Sequence, residues 1–157
     1  MNIKLLAIGK TDNIHLQNLI DDYSKRLSFY IKFEIEIIND LKNIKNISEE
    51  LQKVKEGEMI LNKISASDEL ILLDENGTNY TSIQFAEYLQ KKMNSGIKTL
   101  VFVIGGPYGF SNEVYKKAKG KISLSAMTFS HQMVRLFFVE QIYRGFTILK
   151  NEPYHHQ

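Results

Sequence analysis

The 157-residue chain contains no cysteine. That excludes disulfides and thiolate metal sites, and it fits a reducing compartment such as the cytoplasm. No apolar run approaches the roughly 20 residues needed to cross a bilayer. The first ten residues, MNIKLLAIGK, lack the long apolar core and cleavage site of a signal peptide and read as a buried strand. Net charge is scarce, at +2. This is far from a basic nucleic-acid tail, although a local patch for a polyanion remains compatible with it. Repeats, low-complexity tracts and linkers are missing, so one domain spanning 1–157 is expected. At this length a domain buries roughly 68–70% of its unfolded surface. Of two prolines, Pro153 forbids helix in the tail NEPYHHQ.

The familiar phosphate-binding patterns are absent too. No Gly-Lys-Ser/Thr follows the glycine-rich stretch Gly105-Gly106-Pro107-Tyr108-Gly109. Nor does it have the spaced glycines and downstream acid of a dinucleotide fingerprint.

What is present is organised around Thr99 to Arg135. Leu100 to Ile104 is five apolar residues without a break, which suits a strand buried on both faces of a parallel sheet. The glycines after it permit positive φ and close approach of backbone to a ligand. Ser111 is placed to cap a short helix with Glu113 in its first turn. Loops beyond the carboxyl ends of strands hold ligands in open α/β sheets, so the site is expected here. Such a loop also serves as a plain tight connection, and spacing alone says only "small-ligand loop".

The rest of the chain alternates strand and helix. Ile3–Gly9 reads as a strand, and Thr11–Tyr30 as a helix with Asp12 as its cap. Ile31–Ile37 alternates strictly, as an edge strand does. Leu41–Ser48 is a polar connection. Helical spacing resumes over Glu49–Ile64, with Gly57 as a candidate bend. Glu69–Asp74 is a strand before a turn at Asn76-Gly77. Thr81 and Gln84 form a capping box for a helix closing at Asn94-Ser95-Gly96. Lys121–Ser125 is a fifth strand and Gln132–Phe146 the last helix. The last helix is apolar around most of its circumference, so part of it is expected to pack on a second subunit. The fold class is α/β, a mainly parallel sheet with helices on both faces.

Chemistry-bearing residues are few. Of four histidines, His15 reads as a surface residue. His131 stands at a loop-to-helix junction four residues before Arg135, so the two share a helix face. His155 and His156 sit on a tail too short to fold alone. No His/Asp/Glu spacing suggests a metal site, and no Ser-His-acid pattern can be picked out. Lys116, Lys117, Lys119 and Lys121 cluster, as lysines on a solvated helix face commonly do.

Four segments then point in one direction: VFVIGGPYG, ISLSAMTFSHQMVR, EQIYR and the terminal PYH, with the opening IKLLAIGK. Together they resemble the RlmH ribosomal RNA methyltransferases of the SPOUT superfamily along the whole chain. The resemblance implies S-adenosylmethionine-dependent methylation at N3 of a pseudouridine in large-subunit (23S) ribosomal RNA, acting on the assembled ribosome or large subunit. It also implies a homodimer and a C-terminal trefoil knot, which general topology rules would not supply.

By the resemblance, Leu73, Gly105 and the run Leu124, Ser125, Ala126, Met127, Thr128 and Phe129 line the cofactor. His131, Arg135, Arg144, Tyr154 and His155 lie towards the RNA as catalytic residues. Ser130 stands where family members commonly carry proline, which would loosen the loop before His131. Residue chemistry agrees in outline, since adenosine and a sulfonium need shaped backbone and apolar walls more than charge. Two other readings share this scaffold and charge, a non-catalytic ribosome-binding or assembly module and a transfer-RNA methyltransferase.

Overall fold

The computed structural model describes residues 1–42 and 46–156. Strands and helices alternate: β1 (Asn2–Ile8), α1 (Ile14–Leu27), β2 (Phe33–Ile38), α2 (Glu49–Leu61), β3 (Asp68–Asn79), α3 (Ser82–Asn94), β4 (Thr99–Ile104), α4 (Asn112–Lys117), β5 (Gly120–Ser123) and α5 (Met133–Leu149). The strands form one parallel sheet in the order β2-β1-β4-β3-β5. Of the polar connection Leu41–Ser48, residues 43–45 lie outside the described residues.

Alternation along each strand divides the core into two layers. Ile3, Leu5 and Ala7 of β1 join Leu100, Phe102 and Ile104 of β4 beneath α1, α3 and α5. Leu6 and Ile8 join Val101 and Val103 beneath α2 and α4. With β4 between β1 and β3, both of its faces are covered, and Leu100 to Val103 are fully buried. β2 is an edge, and its wet face is charged: Lys4 pairs with Glu34 at 3.1 Å and Glu36 at 3.0 Å.

Several local expectations change once neighbours are visible. Asn13, not Asp12, caps α1, its Oδ1 accepting from His15 N at 2.9 Å and Leu16 N at 3.1 Å. The Thr81–Gln84 capping box forms, and α3 closes at Gly96 with φ +78°. Gly57 does not bend α2. It lets the helix approach α4, because a Cβ there would stand 3.1 Å from Ser111 Cβ and Val114 Cγ2. Ser111 is buried in that contact and makes no side-chain cap bond. Asn76-Gly77 is no turn either. β3 slips register between Leu73 and Thr78 and continues, pairing Thr78 with Ile122. Gly77 is required there, since a Cβ would lie 2.6 Å from Ile122 N.

After β5 the chain leaves the sheet edge and crosses the carboxyl ends of β3 and β4 to reach the end of β1. There α5 begins, on the face opposite α4. Its residues Phe138, Val139, Ile142 and Phe146 are core, while Met133 and Phe137 remain exposed.

Candidate active site

A cavity of about 610 Å³ opens where that crossing chain covers the strand ends. This is within the usual range for small-ligand sites. Leu73 and Asp74 come from β3, Gly105 to Phe110 from the loop after β4, Ile122 to Ser125 from β5 and its exit, and Thr128 to His131 from the approach to α5. Of the expected cofactor-binding residues, Leu73, Gly105, Leu124, Ser125, Thr128 and Phe129 line the cavity. Ala126 and Met127 belong to the same loop but not to its wall, and Met127 is 77% exposed. Ser125 shapes that loop, its carbonyl accepting from Ser123 Oγ and its own Oγ from Met127 N, both at 2.9 Å.

The glycine loop is folded back on itself. Gly109 N donates to Gly106 O at 3.2 Å, and Gly109 has φ +80°, a conformation that favours glycine. At Gly105 a Cβ would stand 3.0 Å from the Phe110 ring and 3.4 Å from Gly109 O. Backbone therefore forms this wall, and any side chain at Gly105 would compete for its space.

Sequence reasoning missed the polar pair on the opposite wall. Tyr115 on α4 donates to Asp74 Oδ2 at 2.5 Å, while Asp74 Oδ1 accepts from Asn76 N at 2.8 Å. Burial first, and then this bond, push the Tyr115 hydroxyl up to about 12. Asp74 was legible only as the residue ending a strand. Nothing in the pattern of α4, read as a lysine-rich helix, distinguished Tyr115.

The segment HQMVR has divided duties. His131 is exposed at the cavity rim. Gln132 grips the chain after β1, donating to Lys10 O at 2.9 Å and accepting from Asp12 N at 3.2 Å. Arg135 is 2% exposed and donates to Ile8 O at 2.7 Å, Thr11 Oγ1 at 3.1 Å and His131 O at 3.2 Å. Burial lowers the pKa of its guanidinium from the ordinary value, opposed by Asp12 and Asp40. Ser130 fastens the junction, since its Oγ accepts from Met133 N at 3.2 Å and its carbonyl from Val134 N at 3.0 Å.

Arg144, Tyr154 and His155 are not in this cavity. They gather on the side of α5 that faces α1. Tyr154 donates to Glu140 Oε1 at 2.9 Å, meets Tyr23 OH at 3.1 Å, and packs edge-on to Tyr143 with ring centroids 4.8 Å apart. Arg144 pairs with Glu140 at 2.5 Å and lies over the Tyr154 ring at 4.7 Å. Its Nη1 is 3.3 Å from His155 Nδ1. Among the described residues no group of three His, Asp or Glu stands together as a metal site, and no helix is long and apolar enough to cross a membrane.

An open parallel sheet with a ligand-sized cleft over its carboxyl ends, walled by glycine backbone and apolar side chains, defines a small-ligand-binding α/β domain. The chain belongs to the SPOUT methyltransferase family, whose description, "Predicted SPOUT methyltransferase", matches residues 1–155. It is 76% identical to the Ribosomal RNA large subunit methyltransferase H of Flavobacterium johnsoniae and 77% identical to that of Flavobacterium psychrophilum. It is 60% identical to the protein of the same name from Parabacteroides distasonis. Each comparison covers 157 residues, 100% of both chains. The resemblance carried by the motifs is thereby borne out.

Proposed function

We propose that this protein transfers a methyl group from S-adenosylmethionine to large-subunit (23S) ribosomal RNA, at N3 of a pseudouridine, and that it works in the cytoplasm as a homodimer on the assembled ribosome or large subunit. The observation that carries the reading is the cleft itself. A cavity of about 610 Å³ over three strand ends, in a chain of the SPOUT methyltransferase family, suits an adenosine-bearing methyl donor. The names of the full-length relatives support the ribosomal substrate. Residues 1–157 act as one domain, with the C-terminal part threaded as a trefoil knot.

Leu73, Gly105, Leu124, Ser125, Thr128 and Phe129 would hold the cofactor, with Ala126 and Met127 completing the loop. The backbone at Gly105 offers hydrogen bonds without side-chain bulk, and the apolar residues exclude water. The cofactor supplies an already activated methyl group. What remains for the chain is positioning and removal of the N3 proton. A neutral imidazole takes such a proton near pH 7, and His131 stands at the rim to do so. Arg144 stabilises the anion that develops on the base. Tyr154 stacks on an unpaired base, and His155 sits beside it. Because the cavity meets α5 only at Val134 in its first turn, while the tail cluster gathers around Glu140 and Arg144 further along the helix, the tail serves the cavity of a partner subunit.

Mapping methylated nucleotides in ribosomal RNA from a deletion strain tests the proposal. Loss of one N3-methylated pseudouridine, restored by the wild-type gene, is the expected result. Loss of a methyl group from transfer RNA would favour the transfer-RNA enzyme. Unchanged methylation with defective subunits would favour an assembly module.

A further inference from the structure

A buried acid lies beneath the glycine loop, and the reaction proposed above does not use it. Glu56, on α2, is only 4% exposed. Its Oε1 accepts from Nε2 of Gln52, itself buried, at 2.9 Å. Its Oε2 has no hydrogen-bond partner, the one such buried side-chain N or O among the described residues. The carboxyl is pressed against Gly106: an added Cβ would overlap Oε2 and stand 2.8 Å from Cδ and Oε1. The next residue, Gly57, makes the corresponding close contact with Ser111. Two consecutive residues of α2 thus hold both ends of the segment Gly106–Ser111, whose first five residues wall the cleft.

An apolar side chain would fill the space below Gly106 without desolvating an acid. Buried polar atoms are nearly always partnered, so an orphaned carboxyl oxygen against a ligand loop calls for an explanation. Burial raises the Glu56 pKa above its ordinary value; the Gln52 bond opposes this, and the like charge of Asp40 adds to it. Among the described residues no ion pair offsets the burial, so the folded protein disfavours the charged form of this acid.

We infer that Glu56 is a positioning residue: its carboxyl, set against Gly106, holds the loop backbone in the shape that admits the cofactor, without contacting the cofactor itself. The inference rests on the reading of this cleft as the S-adenosylmethionine site.

Calorimetry with S-adenosylmethionine on the full-length protein tests it, beside thermal melts without ligand. Glu56→Gln, which keeps the shape and adds no charge, should bind within about threefold of wild type. Glu56→Leu should melt at or above the wild-type temperature yet bind at least tenfold more weakly, a split that a packing role does not produce. Gly106→Ala, which claims the space of Oε2, should also bind at least tenfold more weakly. It decides the matter if Glu56→Leu fails to fold. Wild-type affinity in folded Glu56→Leu or Gly106→Ala overturns the inference, as does a tenfold loss in Glu56→Gln. Failure of the wild-type protein to bind S-adenosylmethionine would instead sink the cofactor reading of the cleft.

Discussion

The guanidinium of Arg135 donates to the main-chain carbonyl of Ile8 at 2.7 Å, joining the first turn of α5 to the end of β1. Through Thr11 and the carbonyl of His131, the same group spans the loop after β1 and the cavity rim. Arg135→Ala should therefore destabilise the fold by about 2–4 kcal/mol, because it leaves a cavity and unpaired buried acceptors. Arg135→Lys should recover only part of this, since a point charge cannot reproduce the fork. Urea denaturation measures both. A variant of wild-type stability that loses only RNA affinity would return Arg135 to direct contact with RNA.

Gly105→Arg should abolish S-adenosylmethionine binding while leaving a folded protein. A Cβ at Gly105 meets only the Phe110 ring and Gly109 O, both at 3.0 Å or beyond, whereas the longer side chain fills the cleft. Calorimetry on the folded variant decides it, and undiminished affinity would move the pocket elsewhere.

Stability should respond to pH through Glu56. Its pKa is raised in the folded state from an ordinary value of 4.5. Below that value the acid is neutral in both states and costs nothing. As pH rises towards the folded pKa, only the unfolded chain releases its proton, so stability falls, and above the folded pKa the loss is complete. The slope is at most about 1.4 kcal/mol per pH unit. Glu56→Gln lacks this loss, so its advantage over wild type should widen as pH rises above 4.5. Parallel stability curves for the two proteins would show that Glu56 ionises freely when folded.

The shared-site reading predicts complementation. Gly105→Arg and a chain ending at Pro153 should each be inactive alone. Mixed in equal amounts with subunit exchange, half the dimers become heterodimers, each with one sound loop facing one sound tail, so about a quarter of all sites should work. A mixture as inactive as its parents, with exchange verified by mass, would place loop and tail within one chain.

RNA binding should weaken with salt, log affinity falling by about 0.7–0.9 per phosphate contact per log unit. The net charge of +2 predicts few contacts and a shallow slope. Filter binding to large subunits across a salt series measures it, and a steep slope would contradict that prediction.

Much of the scaffold was legible because local rules and tertiary structure agree. The unbroken run Leu100–Ile104 can be buried only from both sides, and β4 lies between two neighbours. Alternation in Ile31–Ile37 belongs to a strand with one wet face, and β2 is an edge. Thr81 and Gln84 carry their cap within four residues. The glycine loop, the small-residue loop and His131 could be grouped by motif, since all three stand just after or near strand ends.

Other features were set by groups distant along the chain, and no local pattern records those. Gly57 and Gly77 looked like a bend and a turn, yet each is glycine because another segment comes too close for a Cβ. Arg135 looked like a partner for RNA until its acceptors, more than 120 residues upstream, enclosed it. Tyr115 joined the site only when α4 brought it to Asp74. Tyr154 and His155 are kept from the cavity by contacts to Tyr23 on α1 and to Glu140 and Arg144 well along α5, whereas the cavity meets that helix only at Val134. Periodicity and caps thus determined the elements and the strand-end location of the site. Burial, which depends on contacts made across the fold, decided which of its residues face the cleft and which hold it in place.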